Sequence, residues 1–272
     1  MKNSLNHRPN QRFGFGNRFT NRPHSQAGGF TLTEVLVVIA IIAVLAALSM
    51  MGVRQFKAAA DKTVAIRNIS QLQLANTSYA TDHGGRYVPV DGFDANGNRL
   101  WWFLNTELFS YLNGDNVTVK SKSNWPTVPL NMLDPIVTKA KKSLYDVYPA
   151  NFGYNYEGFN YDPSMPPYGS PGHVRAWLMS QTVSPERSCA FITSTCDVAT
   201  YGGRSLWKGA AAVEGKTGDG KIAYRHKGGK ALVVFYDGHV GEITMKEMEQ
   251  LDTNSDPTMK GSKNIFWNPD GK

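Results

Sequence analysis

Hydrophobic and polar positions divide this chain into three regimes. From Val35 to Val53 no residue is charged, and Ser49 carries the only polar side chain. That run is long enough to cross the hydrocarbon core of a bilayer as one helix. Beyond it, residues 54–80 contain no proline. Ala65, Ile69, Leu72 and Tyr79 recur there at helical spacing, while Thr63, Arg67, Ser70 and Thr77 fall on other faces. The pattern predicts that the helix continues past the membrane and packs its apolar stripe against a globular domain. Gly84-Gly85, followed by Tyr87 and Pro89, predicts where it stops. Any break at mid-helix rests on Gly52, which follows Met50-Met51.

After the helix the periodicity shortens. Residues 91–98, DGFDANGN, read as a polar loop, and Trp101 to Leu112 as a short core helix or paired segments. Residues 145–171 crowd aromatics, prolines and glycines. They read as an irregular loop pinned by Tyr and Phe, with a subunit contact or ligand surface as the functional alternative. His173–Met179 and Ser188–Ser194 read as strands. KALVVFYDGHVGEIT reads as a hairpin turning at Asp237-Gly238. Thr244 with Glu247 predicts a capping box opening a short helix through Leu251. The tail, 252–272, reads as polar loops.

Charge changes this picture little. The net charge is +7, but residues 1–29 hold Lys2, Arg8, Arg12, Arg18 and Arg22 and no acid. Without them 24 basic and 22 acidic residues remain, so no strong nucleic-acid signal is left; a basic patch for DNA uptake is a minor alternative. The aperiodic first 29 residues read as an unstructured basic leader. A secretory signal would have a shorter apolar core with small residues after it, whereas here Gly28 and Gly29 come before it. Lys and Arg beside the span do not favour a cytoplasmic N-terminus, since Arg54, Lys57, Lys62 and Arg67 balance Arg12, Arg18 and Arg22. One carboxylate, Glu34, stands at the edge of the apolar run, where an acid costs roughly 2.5–3.5 kcal/mol at most on insertion scales.

A basic leader, Gly29, Phe30-Thr31-Leu32, one residue, Glu34 and an aliphatic helix resemble the N-terminus of type IV pilins and type II secretion pseudopilins. The resemblance implies an α+β, pilin-like fold. Its long N-terminal helix spans the membrane in its first half and packs on a small antiparallel β-sheet ectodomain with extended loops. It implies a leader at 1–29, a transmembrane and assembly half at 30–53, an amphipathic half at 54–83 and an ectodomain at 84–272. Prepilin peptidase would cut between Gly29 and Phe30 and methylate the Phe30 amine. Glu34 would meet the Phe30 amine of a neighbouring subunit, because a carboxylate in low dielectric favours an opposite charge nearby. The expected partners are copies of the chain in a helical filament, prepilin peptidase, the membrane, and an inner-membrane assembly platform with its ATPase. The chain has no nucleotide motif of its own. The expected location is the inner membrane as a single-pass precursor, then a periplasmic or cell-surface filament. The expected role is structural, in a pilus or a secretion pseudopilus. A membrane-anchored binding domain or enzyme that never polymerises is the alternative of another class.

RHKGGKALVVFYDGHV is similar to the C-terminal element of a prepilin-associated group in which a histidine precedes Asp-Gly with nine residues between. Here His226 and Asp237-Gly238 have ten between them. YATDHGGRYVP and FGYNYEG are similar to the same group's ectodomain. His226, Asp237 and His239 could converge for metal or acid–base chemistry, but no carboxylate pair, nucleophile elbow or phosphate loop accompanies them. The preferred reading of His226, Asp237 and Gly238 is structural, with Asp237 serving the turn and His226 a loop-holding hydrogen bond. No cofactor is expected, with calcium the weak exception. Asp94, Asn96 and Asn98 place oxygen ligands at alternate positions, as do Asp252, Asn254 and Asp256. In the second loop Pro257 stands where a glycine is expected and Lys263 where a bidentate Glu would lie. Cys189 and Cys196 could bond in an exported domain only if the chain turns between them.

Overall fold

The computed structural model describes residues 29–112, 118–120, 127–129, 133–140, 151–157, 165–167, 169–200, 221–251 and 264–271. The leader to Gly28, the candidate ligands Asp252, Asn254 and Asp256, and most of 145–171 lie outside them. The chain divides into two units, Met1–Met51 and Gly52–Lys272.

Helix α1 spans Leu32–Asp82 and is long and apolar enough to cross a membrane. Within the first unit its large apolar side chains from Val35 to Leu48 are each more than half exposed. Its other end stops where the glycines permit. Gly84 and Gly85 take φ of 63° and 83°, and the Gly85 N–H reaches back to the Ala80 carbonyl at 2.8 Å. This closes the last turn with the left-handed backbone that glycine adopts without strain. The His83 ring stacks on Tyr79 at 3.7 Å.

The second unit is built on a five-stranded sheet. Its strands are β5 (Phe152–Asn155), β7 (Cys189–Thr193), β8 (Val198–Ala199), β9 (Lys230–Phe235) and β10 (Val240–Thr244). Their order is β10-β9-β7-β5-β8. All neighbours are antiparallel except β5 and β8, which run parallel. The antiparallel sheet expected is present, and the one parallel pair, β5 with β8, makes it mixed. The chain turns after β7 and brings β8 back alongside β5.

Apolar alternation gives this sheet two buried faces. On one, Ile69, Leu72, Ala75 and Tyr79 of α1 pack with Tyr154, Phe191 and Val234. The predicted stripe is thus the buried one. Three polar residues are buried with it, each partnered. Gln73 donates to the Tyr236 carbonyl at 3.0 Å, Asn68 to the Leu133 carbonyl at 3.0 Å, and Asn76 accepts from the Val88 N–H at 3.0 Å. On the other face, Ile192, Ala231 and Val233 pack with Met248, Phe266 and Trp267. Met248 belongs to helix α4 (Met245–Gln250), opened by the predicted capping box of Thr244 and Glu247. Helices α2 (Thr106–Tyr111) and α3 (Pro135–Ala140) are one-turn elements in the loops.

Three expectations are corrected. Residues 91–98 are not all loop, because Asp91–Phe93 form β1, between β2 (Arg99–Trp101) and β6 (Val174–Arg175). The strand expected over His173–Met179 shrinks to β6, and Leu178 makes an isolated bridge to Arg86. The tail is not simply polar loop, since Trp267 is fully buried and Ile265 and Phe266 nearly so. Strands β3 (Thr118–Lys120) and β4 (Thr127–Pro129) form a separate antiparallel ribbon.

Candidate functional site: the N-terminal processing element

The geometry at the head of α1 follows from two polar side chains in an otherwise apolar stretch. A helix start leaves several N–H groups without intrahelical partners, and in a low-dielectric setting these must be satisfied locally. Thr31 and Glu34 do this reciprocally. The Glu34 N–H donates to the Thr31 hydroxyl at 3.3 Å. Glu34 Oε2 accepts from the Thr31 N–H at 2.8 Å and from its hydroxyl at 2.9 Å. This is a capping box. The first helical hydrogen bond runs from the Val35 N–H to the Thr31 carbonyl at 3.3 Å. Gly29 and Phe30 lie just outside the helix. Phe30 is 87% exposed, and a Cβ added at Gly29 would meet nothing within 4 Å. Both residues that flank the bond are exposed. The sequence singles out Gly29, Phe30 and Glu34; it does not single out Thr31, although the Thr-x-x-Glu spacing carries that signal.

The second candidate constellation does not assemble. His226 closes the loop before β9, its N–H donating to the Lys230 carbonyl at 3.0 Å. Asp237 and Gly238 lie in the turn after β9, a six-residue strand away, about 20 Å along the chain. There Asp237 Oδ1 accepts from the His239 N–H at 3.1 Å and lies 2.7 Å from its ring Nδ1. Gly238 takes φ of 94° in a three-residue hairpin loop, which is the conformation such a loop demands. His226 instead faces Asp134, with its Nε2 3.2 Å from Oδ2. At that distance the ring nitrogen makes no aligned hydrogen bond to the carboxylate. Arg225 NH1 lies 3.4 Å from the same oxygen. Burial pushes the Asp134 carboxyl up, but the His226 ring and the Arg225 charge outweigh it and hold it below the ordinary carboxylate value. Nothing in the sequence around Leu133-Asp134-Pro135 announces this buried ion cluster.

The calcium candidates divide. Asp94 spends its carboxylate on its own loop: Oδ1 accepts from the N–H groups of Asn96 and Asn98 at 2.8 Å each, and Oδ2 from the Asn98 side-chain amide at 2.9 Å. These bonds hold the carboxyl below its usual value and close the turn between β1 and β2. Among the described residues no group of three or more His, Cys, Asp or Glu side chains is arranged to hold a metal. The second loop lies outside the described residues.

Cys189 and Cys196 are unbonded and buried. Burial pushes the Cys189 thiol well up, and the Cys196 thiol donates to Asp197 Oδ1 at 2.7 Å. A protonated, enclosed thiol is a poor nucleophile. Iodoacetamide is therefore expected to leave both unlabelled in the folded protein and to label both in urea. Intact-mass measurement checks this.

These features define a class before any comparison: an α+β chain whose N-terminal helix is apolar enough to span a membrane and is capped by Thr31, just after an exposed Gly29-Phe30 junction. A family model described as the prokaryotic N-terminal methylation motif matches residues 24–50. The N-terminal element is thus that of a type IV pilin- or pseudopilin-type substrate of prepilin peptidase, and the fold is pilin-like. The match does not extend to His226, Asp237 and Gly238. No curated protein and no solved structure matches the chain significantly.

Proposed function

We propose that this chain is a structural subunit of a type IV pilus-like filament, anchored in the membrane as a precursor and polymerised through α1 after its leader is removed. The observation that carries the reading is the bare apolar first half of α1, which carries the methylation motif and has Glu34 as its lone acid as far as Val53. A helix uncovered on all sides needs lipid first and other helices later. Moving from one to the other leaves apolar burial nearly unchanged, so packing and polar pairing decide the step. Glu34 is the one ionisable group on the span that can pair. The amine freed on Phe30 of a neighbouring subunit supplies the opposite charge. The ectodomain, folded on the second half of the helix, contributes the outer surface and no catalytic chemistry.

The test is a purification from native cells. Mass spectrometry is expected to find a mature chain beginning with N-methylated Phe30, and electron microscopy to find fibres that bind antibodies against the ectodomain. A chain that retains Met1, with no labelled fibres, would establish an anchored, non-polymerising protein instead.

A further inference from the structure

A protease acts on backbone that is free to lie extended in its cleft, because helical N–H and C=O groups are already engaged. On the prepilin reading the bond to be cut, Gly29–Phe30, lies one residue before Thr31, and the helix begins at Leu32. The margin between cleavable backbone and helix is therefore very short, and something must fix where the helix starts. Aliphatic residues cannot do so, since Leu32, Val35 and Leu36 propagate a helix equally well from either direction. The polar contacts that mark the boundary are those of Thr31. Its hydroxyl takes the Glu34 N–H, and its own N–H and hydroxyl are both held by Glu34 Oε2.

We infer that Thr31 is a positioning residue for leader removal: locked to Glu34, it stops α1 at Leu32 and keeps the Gly29–Phe30 bond outside the first turn. The inference rests on the prepilin reading above and assigns that site a residue beyond the glycine, the phenylalanine and the acid. Without the hydroxyl the helix has two nearby alternative starts. Gly29 can serve as an N-cap upstream, which draws the scissile bond into the helix. Thr33 can serve downstream, which moves the bond two residues away from the rigid element that presents it. Either shift lowers the fraction of chains with the bond correctly placed. Glu34 on this view acts before cleavage as a hydrogen-bond acceptor, a duty separate from carrying charge.

The variants Thr31→Val, Thr31→Ser and Glu34→Gln separate these roles in the full-length chain, held in membrane vesicles with prepilin peptidase and followed by mass spectrometry of the N-terminus. T31V removes the hydroxyl and keeps the side-chain shape. It is expected to be cut about fivefold more slowly, the scale of a lost N-cap. T31S restores the hydroxyl and is expected within twofold of wild type. E34Q keeps an acceptor oxygen, as glutamine does in capping boxes, and is also expected within twofold. Wild-type cleavage of T31V overturns the inference, and so does an E34Q chain as slow as T31V, which would mean the enzyme reads the charge. A wild-type chain left uncut fails the prepilin reading itself, whereas equal cutting of wild type and T31V fails only the role of Thr31.

Discussion

Replacing Asp134 with alanine is expected to lower the unfolding free energy by about 3–5 kcal/mol, the cost of stripping one partner from a buried ion cluster. The carboxylate has no exposed surface. Its Oδ1 accepts from the Ile136 N–H at 3.0 Å, opening α3, and its Oδ2 faces both Arg225 and His226. Arg225 is itself buried, with 1% of its side chain exposed, so the alanine variant leaves a cation in the interior with the Ser194 carbonyl as an acceptor. The pH dependence has a definite sign. A carboxyl held below its unfolded value of about 3.9 stabilises the folded state fully above that value and loses its contribution as pH falls through the lower, folded value. Wild type and D134A should therefore differ most at neutral pH and converge below about pH 4. Urea unfolding of the detergent-solubilised chain, followed by tryptophan fluorescence across that range, measures both. A gap under 1 kcal/mol at neutral pH would show that Arg225 finds water or another anion.

Trp267→Ala is expected to cost a comparable amount, about 3–5 kcal/mol, through lost burial and the cavity left behind. The indole is fully buried against Phe266, at a ring separation of 5.0 Å, and within the apolar cluster that covers the second face of the sheet. Its carbonyl accepts from the Asn155 side chain at 2.8 Å, which ties the segment to β5. The indole N–H has no hydrogen-bond partner among the described residues, so Trp267→Phe sacrifices volume but no bond and should cost under about 2 kcal/mol. The alanine–phenylalanine difference, read from the same urea titrations, measures core filling alone, because both variants keep the backbone carbonyl that accepts from Asn155. If the alanine variant unfolds within 1 kcal/mol of wild type, residues 264–268 merely lean on the sheet.

What the sequence reveals follows from how local each signal is. The helix, its stop at Gly84-Gly85, the hairpin at Asp237-Gly238 and the Thr244–Glu247 cap each depend on residues a few positions apart, and each is legible. The N-terminal methylation motif is legible for the same reason. β1 is not, since Asp91-Gly92-Phe93 is poor strand material and becomes a strand because β2 and β6 pair on either side of it. Tertiary pairing overrides composition there. Asp134 escapes notice because its partners stand 91 and 92 residues away in sequence, and no spacing rule links them. Ile265-Phe266-Trp267 escapes because three apolar residues in a polar window are too few to display a period. His226 and Asp237 invite a shared site only by their spacing. They are close in sequence, but the strand between them holds them apart.

The Gln73 side chain on α1 donates to a backbone carbonyl 163 residues later in the chain. Emerging from the ribosome N-terminus first, α1 must wait for that partner. At about 5–20 residues per second, the wait is many seconds, during which Ile69, Leu72 and Tyr79 have nothing of their own to cover them. Such a nascent chain is a natural client for holding chaperones. A slowed ribosome between residues 82 and 230 should therefore raise losses to aggregation and proteolysis, even though the finished subunit would be unchanged.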